Sequence, residues 1–183
     1  MQTLLGIVLG SALVLLSLPL GAQPAVAPPK VTLSAVDVRV ADIQAILKTA
    51  RADAADDLPI RVADAGDYNV GVYVVNRPKV ATPPAIYHET RVTEVYYMLE
   101  GAGTLVTGGS VVGPVVREMP GTTILSMLNN MRGTAISGGV SRRMTKGDLV
   151  VIPGWVPHWW SETDGDMSYL VIRPDPDKIL PIK

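Results

Sequence analysis

Two stretches decide the fold: His88-Glu-Thr-Arg-Val-Thr-Glu94-Val-Tyr-Tyr-Met-Leu-Glu-Gly101 and, further on, Gly147-Asp-Leu-Val-Val-Ile-Pro153-Gly-Trp-Val-Pro157-His158. In the first, a histidine closes one short run and a glutamate opens the next. The Val- and Tyr-rich run after Glu94 reads as a strand, and alternation puts Glu94, Tyr96 and Met98 on one face. In the second, an apolar run enters a turn bounded by Pro153 and Pro157, which delivers His158 at the start of a further strand with Trp160 on its face. The chain has only these two histidines. Residues at strand ends that face into a small barrel are able to meet there.

Outward from these stretches the texture stays β-like. Short runs at 60–62, 70–75, 104–107, 111–116, 122–128 and 167–173 are separated by Gly, Pro, Asn and Asp turns. Glu100-Gly-Ala-Gly103 reads as a hairpin turn. Upstream, residues 31–38 alternate weakly, as a strand would, and Ile43, Ile46, Leu47 and Ala50 recur at helical spacing. The acidic run at 53–57 and Pro59 are expected to end that helix. About nine short strands after one helix predict an all-β antiparallel sandwich or barrel.

At the N-terminus, residues 1–29 carry no charged side chain and residues 4–20 are nearly all apolar. That run is short for a membrane-crossing helix of about 20 residues and suits the core of a signal peptide. Cleavage is expected after Ala22, with an uncleaved anchor as the competing reading; a lipid anchor on cysteine is excluded because the chain has no Cys. The expected organisation is a signal peptide over 1–22, a Pro-rich spacer with the helix over 23–68, a β-barrel over 69–175 and a tail over 176–183. Localisation is then secreted or periplasmic, with no stable membrane anchor after cleavage. Sixteen basic and seventeen acidic residues give a net charge of −1, which argues against nucleic-acid binding. The absence of Cys also removes disulfides, thiolate metal ligands and a thiol nucleophile.

The spacing His-x5-Glu-x6-Gly followed by Gly-x5-Pro-x4-His resembles the two signature motifs of the cupin superfamily over roughly residues 69–175. The resemblance implies an antiparallel jelly-roll β-barrel of six or more strands, here with a short N-terminal helix. The export signal and layout are similar to secreted bacterial cupin-domain proteins of unassigned activity. The resemblance also implies a metal site, usually two His and one Glu from the first motif and one His from the second. His88, Glu94 and His158 match three of these ligands. Thr90 stands where the family usually has its second His, Trp155 where it usually has Gly, and Glu162 where it usually has Asn. Two imidazoles and a carboxylate suit Fe, Mn, Ni or Zn, with binding that fades below about pH 6 as the ligands take up protons.

Thr90, Tyr96, Met98 and Trp160 are the candidate lining of a substrate pocket; the competing reading makes Tyr96, Met98 and Trp160 plain core. Tyr96 and Glu162 are the inward groups nameable as a general acid or base. Arg142, Arg143 and Lys146 read as a solvated turn before Gly147, with an anion contact as the competing reading. The expected function is metal-dependent action on a small organic ligand, of dioxygenase, isomerase, decarboxylase or lyase type, since the fold hosts all of these. The alternatives are a non-catalytic small-molecule-binding barrel with a vestigial metal site, and a structural role. The helix and segment before the barrel suggest a homodimer that covers exposed edges.

Overall fold

The computed structural model describes residues 33–79, 83–116, 128 and 130–183. The expected signal segment at 1–22 lies outside these residues, as do 23–32 of the spacer and 122–127 of the expected strand at 122–128.

The described chain is built of antiparallel strands with one helix, α1 (Val40–Leu47). The strands are β1 (Asp56–Asp64), β2 (Asn69–Arg77), β3 (Ala85–His88), β4 (Glu94–Glu100), β5 (Ala102–Thr107), β6 (Ser110–Val112), β7 (Val115–Val116), β8 (Asn130–Gly133), β9 (Ala135–Ser137), β10 (Val140–Thr145), β11 (Leu149–Ile152), β12 (His158–Thr163) and β13 (Met167–Asp175). One sheet runs β1-β2-β13-β4-β11, the second β10-β5-β12-β3-β8-β7, and β6 pairs with β9. This is an antiparallel two-sheet β-sandwich of jelly-roll type, in which the alternate residues of both sheets form the core.

The alternation is clearest in β13, where Met167, Tyr169, Val171, Arg173 and Asp175 are buried and the residues between them are half-buried. Tyr73, Met98, Leu105, Trp160 and Tyr169 form the centre of the core. Trp160 and Tyr169 pack with ring centroids 5.7 Å apart, and the indole N–H donates to the Tyr169 hydroxyl.

Three local expectations are corrected. Residues 33–38 form no strand, because no neighbouring strand supplies a ladder for them. The helix lies over Val40–Leu47, three residues earlier than its apolar spacing suggests. Asp42 accepts from the Arg39 backbone N–H and fixes the start. The acidic run does not simply end the helix, since Asp56 and Asp57 open β1. β1 pairs with β2 from Asp56 to Asp64, so the sheet begins before residue 69. Pro59 is tolerated because β1 is an edge strand whose register shifts beside it.

Candidate metal centre

His88 ends β3 and His158 begins β12, neighbours in the six-stranded sheet, where His158 lies across from Ile86. Glu94 begins β4 in the five-stranded sheet, so it reaches the histidines from the opposite wall. Turn geometry locks the motifs together. The Trp155 N–H donates to the His88 carbonyl at 3.2 Å, and Gly154 packs so tightly on Thr90 and Arg91 that a Cβ there would collide with backbone.

All three side chains are buried, with relative exposures of 5%, 1% and 3% for His88, Glu94 and His158. Both Nε2 atoms converge on one oxygen, Glu94 Oε2, from 3.4 Å (His88) and 3.3 Å (His158). The ligand-type atoms of the three residues lie within 4.8 Å of one another. The other ring nitrogens are occupied: His88 Nδ1–H donates to Asn130 Oδ1, and His158 Nδ1–H donates to the Val156 carbonyl at 3.1 Å. These bonds place the Nε2 lone pairs toward the centre, the tautomer that metal-bound imidazoles adopt. His158 Nε2 is buried and makes no hydrogen bond.

Glu94 is held from behind. Arg173 donates from Nε to Glu94 Oε1 at 2.8 Å, and its Nη2 lies 2.7 Å from the same oxygen. Its Nη1 and Nη2 reach the two oxygens of Asp57 at 3.0 and 2.5 Å, while Cζ sits 4.5 Å above the Tyr73 ring. Oε1 is thereby committed and Oε2 is left for the centre. Burial alone would raise the Glu94 carboxyl, but Arg173, His88 and His158 together hold it well below the usual carboxylate range. Burial lowers the His158 imidazole to about 4 despite Glu94, so it is neutral at pH 7.

A cavity of about 110 Å³ opens beside the cluster, lined among others by His88, Glu94, Tyr96, Tyr169 and Arg77. Tyr96 donates its hydroxyl to Glu94 Oε2 at 3.2 Å, and burial together with the Glu94 charge keeps that hydroxyl protonated. The other expected lining residues lie elsewhere. Met98 and Trp160 pack in the central core. Thr90 does not line the cavity; its Oγ1 turns back to accept from the Val92 backbone N–H at 3.3 Å. Glu162 does not face inward. The β12 register shifts between Trp160 and Glu162, and this bulge turns the carboxylate out to solvent, where Thr104 donates to it.

The sequence reading missed Asn130, Arg173 and Asp57. Arg173 had a signal: the phase that buries Tyr169 and Val171 also buries position 173. Asn130 had none, because only the β3–β8 register sets it opposite His88.

No family model and no curated protein matches the sequence. Solved structures similar to this one include an RmlC-like cupin protein from Desulfovibrio desulfuricans, at 16% identity over 71% of this chain and 92% of that one, TM-score 0.42. DMSP lyase DddQ from Ruegeria pomeroyi is matched at 20% identity over 62% of this chain and 47% of its own, TM-score 0.37. A cobalt(II) form of HppE is matched at 11% identity over 57% and 45%, TM-score 0.37. The chain thus spans less than half the length of these last two proteins.

Proposed function

We propose that the protein is an exported cupin that binds one divalent transition metal through His88, Glu94 and His158 and acts on a small organic molecule. The observation that carries this reading is the convergence of two Nε2 atoms, one of them buried without a hydrogen bond, on the carboxylate oxygen that Arg173 leaves uncommitted. In the absence of a cation, lone pairs face lone pairs there, which is unfavourable in a buried site. The donor set of two imidazoles and one carboxylate suits Fe, Mn, Ni or Zn. A divalent metal held there would supply Lewis acidity toward a substrate oxygen.

The chain's own residues account for the rest. Arg173 holds Glu94 in one rotamer, and Asn130 and the Val156 carbonyl fix the imidazole tautomers. Tyr96 lines the cavity and spends its hydroxyl proton on Glu94 Oε2, which steadies the carboxylate. Export is supported by the uncharged apolar segment at 4–20. A homodimer is supported by the outward apolar side chains of Leu149, Val151 and Tyr97 beside β11, an edge strand among the described residues, and light scattering giving a single-chain mass would end that reading.

The test is metal content per chain in untagged protein. Wild type and Thr90→Ala are expected to hold one equivalent, and His158→Ala to lose most of it. A wild type that stays empty after incubation with Fe, Mn, Ni and Zn would overturn the metal reading and favour the non-catalytic binding barrel.

A further inference from the structure

We infer that the cavity beside the cluster takes a small carboxylate, anchored by the guanidinium of Arg77. The inference rests on the site proposed above and adds the chemical class of its ligand.

The charges around the cavity point to Arg77. Three carboxylates line it, and each is already satisfied. Asp56 is bound by Arg51, whose Nε and Nη2 donate to Oδ1 at 2.8 and 2.6 Å and whose backbone N–H donates to Oδ2 at 2.7 Å. Asp57 and Glu94 share Arg173. Arg77 projects from the end of β2 into the same cavity with no carboxylate in ion-pair range among the described residues. Its Nη2 donates to the Tyr169 hydroxyl at the long distance of 3.5 Å, and its Nε is buried without any hydrogen bond. A buried N–H of a cation left unpaired is costly to the fold, so its retention in a cavity wall needs a partner that arrives from outside.

The chemistry of that partner follows from the group. A guanidinium is permanently charged, and its planar edge matches a carboxylate through two parallel N–H···O bonds. Arg77 forms no ion pair among the described residues and feels Asp57 only at longer range, so a metal bound to the cluster would leave the lined space positively charged. A ligand with one or two negative charges compensates this. The remaining wall includes Val75, Pro84 and Ile86, which favour a short hydrocarbon body. At about 110 Å³ the cavity suits a short-chain acid. One end of such an acid meets Arg77 and Tyr169, and its other oxygen-bearing end faces the cluster.

The experiment measures binding rather than turnover. Glycolate, pyruvate and oxalate, with the uncharged glycolamide and glycerol as controls, are titrated calorimetrically into wild type, Arg77→Met and Arg77→Lys, each metal-loaded and metal-free, with metal content measured on every preparation. The expected result is saturable binding of at least one acid and none of the neutral controls. Arg77→Met should weaken it tenfold or more while metal content per chain stays at the wild-type level, and Arg77→Lys should retain part of it. The comparison of glycolate with glycolamide on wild type needs no variant, so it decides for or against an acid site even if Arg77→Met folds poorly. The inference is overturned if acids and neutral analogues bind alike, if no acid binds, or if Arg77→Met binds acids as tightly as wild type and loses them only when metal is removed. Should wild type hold no metal, the proposed function fails separately, and acid binding by the metal-free protein that is lost in Arg77→Met still supports the anchor.

Discussion

Replacing Arg173 by methionine removes the one cation that two carboxylates of the site share. The Arg173 side chain is 2% exposed, that of Glu94 2% and that of Asp57 10%. Breaking a buried ion pair by deleting one partner costs about 3–5 kcal/mol. Loss of the stacking on Tyr73 adds about 1 kcal/mol, and the packing of the new methionine offsets a similar amount. The expected net loss is about 4 kcal/mol. For a domain of this size each kcal/mol lowers Tm by about 2–4 °C, so the fall should be about 8–16 °C at pH 7.5. The loss should also depend on pH. In wild type the Glu94 carboxyl is held well below its ordinary range, so its contribution is constant from neutral pH down to about 4 and is lost only below that. Without Arg173, burial dominates and the carboxyl takes up a proton nearer neutrality, so the variant recovers relative to wild type as pH falls toward 4.5. Thermal melts of both proteins in EDTA at pH 7.5 and 4.5 measure this. A fall under about 3 °C at pH 7.5, or an equal fall at both pH values, would refute the reasoning.

Metal-free wild type should lose stability as pH drops from about 6.5 to 4, because His158 is buried neutral with its pKa lowered to about 4 while the unfolded side chain titrates near 6.5. Urea titrations should show a loss of about 3 kcal/mol over that window, and a smaller one in His158→Gln; a flat wild-type profile contradicts it. The same lowering means protons compete at His158 only near pH 4, below the pH 6 suggested by an ordinary imidazole. Trp155→Gly should stabilise by about 1 kcal/mol, since Trp155 adopts φ 66° with its side chain 56% exposed and glycine relieves the strain; a lower Tm would show that the indole packs usefully. Intact-mass analysis of protein recovered from the cell envelope or medium should show a chain starting near Gln23, and a full-length mass in the membrane fraction would rule this out.

What the sequence revealed follows from where each signal came from. β4 and β13 are buried on one face, so their period-two alternation was plain, and with it the inward aim of Glu94 and Tyr96. His88 and His158 were legible as the only two histidines, each at a strand end. β10 was hidden because Ser141, Arg142 and Arg143 reflect a largely solvent-facing strand, in which only Met144 is buried. β1 was obscured by Pro59 and its acidic start, features that an edge strand accommodates. The supporting groups lay further out of reach. Asn130 meets His88 through strand register, Asp57 meets Arg173 across more than a hundred residues, and the bulge that expels Glu162 breaks the alternation that would have placed it inside.

The most direct test of the central claim is X-ray absorption on metal-free protein reloaded with one equivalent of zinc per chain. Two imidazole nitrogens at about 2.0–2.1 Å and carboxylate oxygen at about 2.0–2.2 Å are expected in wild type, with the imidazole signature reduced by half in His158→Ala. An all-oxygen shell, or a wild-type spectrum unchanged by His158→Ala, would contradict a centre built from His88, Glu94 and His158.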